Sequence, residues 1–491
     1  MSLVHRVLYP EPIASLEEYL ARGGGAGLEA ALSMSSEAII KELEASGLRG
    51  RGGAGFPTGT KWRTVRDYHA DNMSSTVAVN AAEGEPGTFK DRTILNVIPY
   101  AVIEGALIAA RAVGADEVVV GTKRLFSAQV ARLNAVIEEV TGAGWADGIR
   151  LSVFEGPHEY LYGEETALLE TIEGRYPFPR IAPPWRRGDR ELVEHADDVS
   201  TRSGLASHVI MAEADGDGSP PTLVDNVETL ANVPRIVARG AAWFRTEGTE
   251  KSPGTIVCTV TGDVQRDGVG EVIMGTSLRE VIDAISGGAR PGRHIKAVLP
   301  GVSTGVITGD QLDTPVSYEA LAALGSGLGS GGFIVFDDTA DMAAVAAGAS
   351  RFLAVESCGQ CTPCKLDGVA LSGLLDRLCR EGLPEAEWEQ VTRLVSTVGD
   401  GARCSLATQH QTLLESLIST FPGDFSGHIS SSATPVAPRL IAELLDFEGD
   451  EAVWDERHRE KQPDWSYGPE DSGKSPAERY GEHRAQATLE D

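Results

Sequence analysis

Short β-branched runs alternate with longer amphipathic stretches along the first half of the chain. Between residues 36 and 235 this pattern predicts strands at 75–80, 116–123 and 149–156, and helices at 94–115, 128–142 and 163–174. Alternation at this spacing predicts βαβ units on a mostly parallel sheet. In such sheets, ligands bind beside the carboxyl ends of the strands, near helix N-termini.

The pattern changes twice further along the chain. Short strands with one helical stretch indicate a small α+β module, and the helical pattern that follows indicates a small bundle. We therefore predict an N-terminal arm with one helix, an α/β domain, an α+β module, a helical domain, and an acidic tail with one candidate helix at 437–447. The boundaries are 1–35, 36–252, 253–335, 336–425 and 426–491, with a polar surface insertion at about 186–220.

The composition is that of a globular protein with a strong acidic bias. Hydrophobic residues make up 42% of the 491 residues, and the formal net charge is −29. This charge argues against nucleic acid as a partner, because neutralising phosphates requires a basic face. The sequence has no uncharged apolar run long enough to span a bilayer and no secretory signal at its start. We therefore expect a cytoplasmic protein without direct membrane insertion, whose cysteines are not used for disulfides.

Four of the six cysteines have a spacing that indicates a metal centre. Cys358, Cys361 and Cys364 stand at successive x2 spacings, and Cys404 follows 40 residues later. Three thiolates on one tight loop can reach three corners of an iron–sulfur cubane, so the fourth ligand must come from elsewhere in the chain. A structural zinc site is the alternative, although zinc sites usually bring their cysteines as two separated pairs.

The segment 50–62, GRGGAGFPTGTKW, gathers glycines and positive charge within this acidic chain. Backbone N–H groups of a glycine-rich turn approach an anion closely. Four basic side chains would add charge there: Arg49, Arg51, Lys61 and Arg63. The segment matches neither the Walker A pattern nor G-x-G-x-x-G, so alone it indicates only a phosphate-bearing ligand. A flexible linker is the alternative, which the apolar Phe56 and Trp62 disfavour.

Five motifs occur in an order that resembles the NADH-binding subunit of respiratory complex I, which carries FMN and a [4Fe–4S] cluster. They are GRGGAGFPTGTKW (50–62), NAAEGEPGTFKDR (80–92), YLYGEETALLETIEG (160–174), PTLVDNVET (221–229) and ESCGQCTPC (356–364). The same family includes diaphorase subunits of NAD-linked hydrogenases and formate dehydrogenases. The resemblance covers about residues 36–425. It implies an α/β protein with a Rossmann-like FMN/NADH domain, then a β-grasp (ubiquitin-like) module, then a C-terminal helical bundle that carries the cluster.

The resemblance also implies roles for individual residues. FMN would be held by backbone groups of Gly52, Gly53, Ala54 and Gly55, by the side chain of Lys61, and by Asn80, Asp225 and Asn226. Phe56 would sandwich the adenine of NADH, and the rest of that pocket would be Glu83, Glu85, Tyr160, Gly163, Glu164 and Glu165. Glu85 is the candidate catalytic residue. The cluster ligands would be Cys358, Cys361, Cys364 and Cys404.

Glu164 and Glu165 open the helix at 163–174 and have a simpler interpretation as N-terminal capping residues. Together with the other motifs, they are candidates to accept hydrogen bonds from ribose hydroxyls or the amide of NADH. An acidic lining would disfavour the extra phosphate of NADPH, so we expect NADH as the nucleotide.

The resemblance implies an electron-transfer subunit that oxidises NADH or reduces NAD⁺ with FMN and a [4Fe–4S] cluster. No cysteine set remains for a fused [2Fe–2S] module. We therefore expect a separate [2Fe–2S] thioredoxin-like subunit, a larger iron–sulfur or catalytic subunit, or both as partners.

Two positions depart from the family pattern: Ala82 replaces a common Asp, and Asp225 replaces a frequent Asn. With the insertion and the tail, these departures favour a soluble dehydrogenase or reductase complex over standard complex I. Two alternatives stay open. One is a non-catalytic scaffold that keeps the cluster, and the other is an iron–sulfur flavoprotein whose donor is not a nicotinamide.

Overall fold

A computed structural model describes residues 3–69, 75–180, 221–429 and 434–463. Its first unit is built on a four-stranded parallel sheet in the order β3-β2-β1-β4. The strands are β1 (Ser75–Ala81), β2 (Ala115–Lys123), β3 (Arg150–Gly156) and β4 (Thr222–Asn226). The chain moves outward from β1 to β3 and then returns to the other side of β1. The point between β1 and β4 is therefore where the strand order reverses, and open α/β sheets bind ligands at such a point.

Helices cover both faces of this sheet. They are α1 (Leu16–Ala21), α2 (Ala26–Leu32), α3 (Ser36–Ser46), α4 (Thr58–Asp67), α5 (Lys90–Val97), α6 (Pro99–Val113), α7 (Ser127–Gly142), α8 (Glu165–Ile172), α9 (Val227–Arg239) and α10 (Ala241–Phe244). Successive side chains of a strand point to opposite faces of the sheet. Val77 and Val79 therefore pack in the core with α6 and α9, while Ala78 packs in a smaller cluster with α8.

Two predictions for this unit need correction. The N-terminal arm holds two helices, α1 and α2, rather than one. The single helix predicted over 94–115 is broken at Ile98, where α5 and α6 meet at 98°. Pro99 lacks an N–H and is tolerated only in a first helical turn, so it begins a new helix instead of continuing α5.

The second unit is a five-stranded mixed sheet in the order β6-β5-β9-β7-β8. Its elements are β5 (Thr255–Gly262), β6 (Gly268–Ile273), α11 (Leu278–Ser286), β7 (Ile295–Leu299), β8 (Ile307–Thr308), α12 (Tyr318–Ala323) and β9 (Gly332–Asp337). The first and last strands, β5 and β9, are parallel neighbours, and the remaining pairs are antiparallel. Helix α11 packs on β5 and β6, as expected from the amphipathic pattern of 277–285.

Residues 342–426 are mainly helical. The helices are α13 (Met342–Val355), α14 (Thr362–Glu381), α15 (Glu385–Thr397), α16 (Ser405–Thr420) and α17 (Pro422–Ser426). The first four share one core, which includes Phe352, Leu375 and Leu414. The same core includes Leu299 and Phe336 of the five-stranded sheet, so the helices and that sheet pack directly together.

The described part of the C-terminal region, residues 434–463, packs on the other units. The helix predicted at 437–447 is wrong: residues 437–443 form neither helix nor strand, and Leu444–Glu448 is a strand, β10, paired with β11 (Glu451–Trp454). Ile441 and Leu444 are buried against the helices and sheets, so contacts outside the segment override its local helical pattern. The insertion predicted at 186–220 lies outside the described residues.

Within the described ranges, no single helix has the length and apolar character to cross a membrane, and only the bent pair α5 and α6 meets those two criteria together.

Candidate functional site

The motif residues converge at the carboxyl ends of β1 and β4. Asn80 and Asn226 are register partners on these strands. Asn80 Nδ2 donates to the carbonyl of Gly163 at 2.8 Å, which holds the YLYG turn against β1. Asn226 Oδ1 accepts from the N–H of Glu228 at 3.0 Å and so caps α9. The two asparagines therefore lie where the strand order reverses, beside the N-termini of α8 and α9.

The glycine segment forms a closed loop beside them. The N–H of Gly50 donates to the carbonyl of Phe56 at 2.8 Å. Gly53 (φ +134°) and Gly55 (φ +63°) adopt backbone conformations that L side chains rarely adopt. Within the described residues, the four amides of 52–55 donate no hydrogen bond, so consecutive N–H groups are free to bind an anion. The loop fits the phosphate-bearing ligand that the sequence indicates.

Helix α4 begins directly after this loop and adds to the fit. It starts at Thr58 with no side-chain cap, and the buried hydroxyl of Thr58 has no hydrogen-bond partner among the described residues. An uncapped helix N-terminus carries partial positive charge and favours an anionic group.

The basic side chains do not form the positive cradle expected around the loop. Arg51 is buried and donates to the carbonyls of Thr255 and Pro253. Arg49 donates to the carbonyl of Gly55 at 2.6 Å, and Arg63 pairs with Glu44 on the outer side of α4. These three arginines therefore stabilise the loop and its surroundings, and Lys61 alone of the four cations lies at the site.

Lys61 occupies the gap between β4 and α8. Its ammonium donates to the carbonyl of Val224 at 2.6 Å and pairs with Glu165 at 2.8 Å. Burial lowers its pKa, but Glu165 and Asp225 outweigh burial and raise it overall, so Lys61 remains charged.

Asp225 is buried beside this lysine. Its Oδ2 accepts from Trp62 Nε1 at 2.6 Å. Burial raises the pKa of Asp225 to about 6, although Lys61 and Trp62 partly oppose that shift. Burial of the charged carboxylate therefore carries a free-energy cost at neutral pH.

We expect Asp225→Asn to make unfolding free energy less dependent on pH. Because the folded-state pKa is raised, Asp225 contributes stability below pH 4 that is lost as pH rises through about 6. The free energy of unfolding of the variant minus that of wild type should therefore be about 1–3 kcal/mol larger at pH 7.5 than at pH 4. Urea unfolding of both proteins at the two pH values measures this difference. Asp313→Asn, at an exposed position, is the control. A difference in unfolding free energy between Asp225→Asn and wild type that is the same at both pH values would contradict the prediction.

A buried charge network was missed by the sequence analysis, although four of its members lie in quoted motifs. Lys90 Nζ contacts Asp91 Oδ1 at 2.7 Å, Glu228 Oε2 at 3.0 Å and Asn226 Oδ1 at 3.2 Å. Lys90 and Glu228 are fully buried. The sequence signal was the run of adjacent charges Lys90, Asp91 and Arg92 at the end of the NAAEGEPGTFKDR motif. This network links the asparagine at the switch point to helix α5.

The two carboxylates of the NAAEGEPG motif are held differently. Glu83 accepts from the N–H of Asp91 at 3.0 Å and from Arg92 Nε at 2.9 Å. Glu85 accepts from the hydroxyl of Tyr160 at 2.5 Å and from the N–H of Val302 at 2.7 Å. Burial raises the pKa of Glu85, and its hydrogen bonds oppose this. Glu85 therefore joins the first sheet to the loop after β7.

Glu164 has the capping role that its sequence position indicated. Its Oε2 accepts from the N–H groups of Thr166 and Ala167, at 3.0 and 2.9 Å, at the start of α8. Burial raises its pKa. Phe56 is half-buried. The proposed contacts of Glu164, Glu165 and Phe56 with a nucleotide remain predictions.

The four cysteines of the predicted cluster lie together at two helix N-termini. Cys361 is the N-cap of α14, and Cys404 is the N-cap of α16. Burial, with smaller contributions from the neighbouring thiols Cys358 and Cys361, raises the pKa of Cys364 to about 11, although a hydrogen bond with Ser357 opposes the shift. Helix N-termini favour thiolates, which are the form that binds metal.

Within the described ranges, no three ligand-type side chains converge around a single ion. Four thiols brought together from two separate segments of the chain are a donor set that suits a [4Fe–4S] cluster. The other two cysteines, Cys258 and Cys379, are fully buried in the core.

Tyr160 links the motif carboxylates to this cysteine set. Its hydroxyl donates to Glu85, and its N–H donates to Glu356 Oε2 at 3.2 Å, two residues before Cys358. Burial raises the pKa of Tyr160 well above its usual range, and the charges of Glu85 and Cys404 add to that shift. Tyr160 therefore connects Glu85 of the NAAEGEPGTFKDR motif directly to the segment that precedes the cysteines.

Comparisons with known proteins agree with this arrangement. Residues 43–235 match the family described as the Nuo51 FMN-binding domain, and residues 344–428 match the NADH-ubiquinone oxidoreductase-F iron-sulfur binding region. The second F subunit of NADH-quinone oxidoreductase from Rhizobium meliloti is 36% identical over 86% of this chain and 96% of its own length. The NADP-reducing hydrogenase subunit HndC of Solidesulfovibrio fructosivorans is 34% identical over 88% of this chain and 84% of its own length.

A solved structure gives the same result for the fold. A chain of an NAD⁺-reducing [NiFe]-hydrogenase in the H₂-reduced state superposes with a TM-score of 0.71 and 31% identity, over 85% of this chain and 67% of that chain. The resemblance inferred from the five motifs is thus confirmed. The chain belongs to the family of FMN-binding, [4Fe–4S]-binding F subunits of NADH-quinone oxidoreductase, to which hydrogenase subunits also belong.

Proposed function

We propose that this chain is an electron-transfer subunit that oxidises NADH, or reduces NAD⁺, in a soluble dehydrogenase or reductase complex of the cytoplasm. Its partners would be NADH, a separate [2Fe–2S] thioredoxin-like subunit and a larger iron–sulfur or catalytic subunit. The observation that carries the proposal is a chain of contacts: the glycine loop lies against Asn226, Asn226 pairs in register with Asn80, and Tyr160 connects Glu85 to the segment just before the cysteines.

The residues present fit FMN at the glycine loop. The free amides of 52–55 and the uncapped start of α4 would bind its phosphate, with Lys61 adjacent. Asn80 and Asn226 would hold the flavin at the strand-order reversal, and Asp225 would border it. Lys61 pairs with Glu165, and the phosphate of FMN would compete with Glu165 for the same ammonium group. When FMN binds, the ammonium of Lys61 would therefore turn from Glu165 to the phosphate.

The NADH pocket would lie between the glycine loop and the Tyr160 turn. Glu83, Glu85 and Glu164 would accept hydrogen bonds from the nucleotide, with Glu85 closest to the reacting ring and therefore the candidate catalytic residue. Their side chains are already oriented by Arg92, Tyr160 and the start of α8. Such preorganised carboxylates place a nucleotide without further rearrangement.

The two remaining units would have separate roles. The strand order β6-β5-β9-β7-β8, with parallel central strands, supports a β-grasp module over 253–335. Helices α13–α16 would carry the cluster on Cys358, Cys361, Cys364 and Cys404. When bound, FMN and the cluster together convert a two-electron hydride exchange into single-electron transfers. The protein contributes orientation of the nucleotide, exclusion of water and a short path past Tyr160.

Anaerobic purification and a visible spectrum before and after NADH addition test this proposal. We expect a flavin-plus-cluster spectrum that bleaches within seconds of adding NADH. The alternative, a non-catalytic scaffold of the same family, draws support from Ala82 and Asp225. That alternative predicts a cluster spectrum without flavin that NADH leaves unchanged even after FMN is supplied. Bleaching by dithionite but not by NADH would instead indicate a donor that is not a nicotinamide.

A further inference from the structure

The segment 434–463, which we name the C-terminal strap, lies directly on the C-terminal part of the NAAEGEPGTFKDR motif (80–92). Arg92 of α5 donates to the carbonyls of Leu444 at 2.7 Å and Leu445 at 3.2 Å. Phe447 packs edge-on against Phe89, with ring centroids 5.1 Å apart. The strap therefore contacts the motif through both charged and aromatic groups.

One ion pair of the strap reaches the backbone between the two motif carboxylates. Glu443 pairs with Lys123, the last residue of β2, and both side chains are buried. A Cβ added at Gly84 would lie 2.5 Å from Glu443 Oε1 and 2.7 Å from Lys123 Nζ. The pair thus occupies the space above Gly84, so a residue with a Cβ at this position would have to displace it.

The carboxylates on either side of Gly84 are anchored to different parts of the molecule. Glu83 is held by the start of α5, and Glu85 is held by Tyr160 and Val302. Their relative position therefore depends on the backbone of Gly84 that connects them. Small displacements of groups that orient a substrate have large effects on binding and rate.

The pair has little support from other groups. The second oxygen, Glu443 Oε2, is buried without a hydrogen-bond partner among the described residues. It faces a cavity of about 330 Å³, in which His158 Nδ1 lies 4.0 Å away, beyond hydrogen-bond distance. Within the described part of the chain, Lys123 is therefore the charged partner through which the Glu443 carboxylate is held over Gly84.

We propose that Glu443 is a positioning residue for the nucleotide pocket, acting through Lys123 and Gly84 on the placement of Glu83 and Glu85. This inference rests on the proposed function. Glu443 touches no part of the pocket itself. The strap, which the sequence pattern identified only as an acidic tail, then completes one wall of the site from the opposite end of the chain.

Glu443→Gln in the full, cofactor-loaded chain tests the inference. The substitution keeps the length of the side chain and removes its charge. We expect the KM for NADH to rise about tenfold with ferricyanide as acceptor, while kcat, flavin and iron content stay within twofold of wild type. The Kd for NAD⁺, measured by calorimetry, should rise by a similar factor. Hydrogen exchange of the peptide spanning 80–89, measured without nucleotide, should become faster.

Glu451→Gln is the matched control, because Glu451 is an exposed glutamate of β11 on the same strap. It should leave KM, Kd and exchange unchanged. Glu443→Asp covers the case in which the Gln variant fails to fold: it keeps the charge but withdraws the carboxylate from Gly84, and a smaller rise in KM is expected.

A folded Glu443→Gln or Glu443→Asp protein with unchanged KM and Kd would overturn the inference. Equal losses of kcat and flavin with no selective change in nucleotide binding would also overturn it, because they indicate a purely structural role. If wild type itself fails to bind NAD⁺, the proposed function is wrong. The exchange measurement then still decides whether the ion pair restrains Gly84.

Discussion

Replacement of Cys404 by serine is expected to remove most of the iron from the purified protein. Cys404 is the N-cap of α16 and lies across from the loop that carries Cys358, Cys361 and Cys364. A serine hydroxyl is far less acidic than a thiol and binds iron poorly, so three cysteines would be left to hold the cluster. Anaerobic iron and sulfide analysis, together with the broad visible absorbance of the cluster, measures the loss.

Cys379→Ala provides the matched control for this experiment. Cys379 is fully buried in α14, on the same group of helices, but it packs in the core. We expect a modest loss of stability and full iron content from this variant. Full iron content in Cys404→Ser would contradict the assignment and would require a fourth ligand outside the cysteine pattern.

The sequence predicted the elements that local patterns determine. The strands at 75–80, 116–123 and 149–156 are short β-branched runs, and each is present with nearly the predicted bounds. The spacing of Cys358, Cys361 and Cys364 predicted three neighbouring thiols on one loop; in the structure Cys358 precedes α14, Cys361 is its N-cap and Cys364 lies in its first turn. Both cases depend on residues that are close in sequence, where pattern and geometry are directly linked.

Errors arose where distant contacts decide the outcome. The segment 437–447 has a helical pattern, but the N–H of Arg439 donates to the carbonyl of Ala344 in α13, and Ile441 and Leu444 are buried against other units. Arg51 was expected to face an anion, yet it is buried among carbonyls of a strand that begins about 200 residues later. Neither partner can be found from local sequence, because each is supplied by another unit of the fold.

We expect Lys90→Met to lower the free energy of unfolding by about 3–5 kcal/mol at neutral pH. Lys90 is completely buried, and its ammonium is the positive charge that Asp91 and Glu228 share, with Asn226 as a further acceptor. Burial alone would lower its pKa, but the two carboxylates raise it overall, so it is charged in the folded protein. Methionine fills a similar volume but leaves Asp91 uncompensated. Glu228 keeps only the more distant Arg51, at 3.8 Å.

Lys41→Met is the matched control for this substitution, since Lys41 pairs with Glu37 at 3.1 Å but is 68% exposed. Exposed pairs contribute about 0–1 kcal/mol, so urea unfolding should distinguish the two variants clearly. The cost of Lys90→Met should also shrink as pH falls, because Asp91, whose pKa burial already raises to about 6, can then bind a proton. A loss that is equal at pH 5 and pH 8 would show that packing around Lys90 matters more than its charge. A loss below about 1 kcal/mol would show that the network does not hold helix α5 to Asn226 at the switch point.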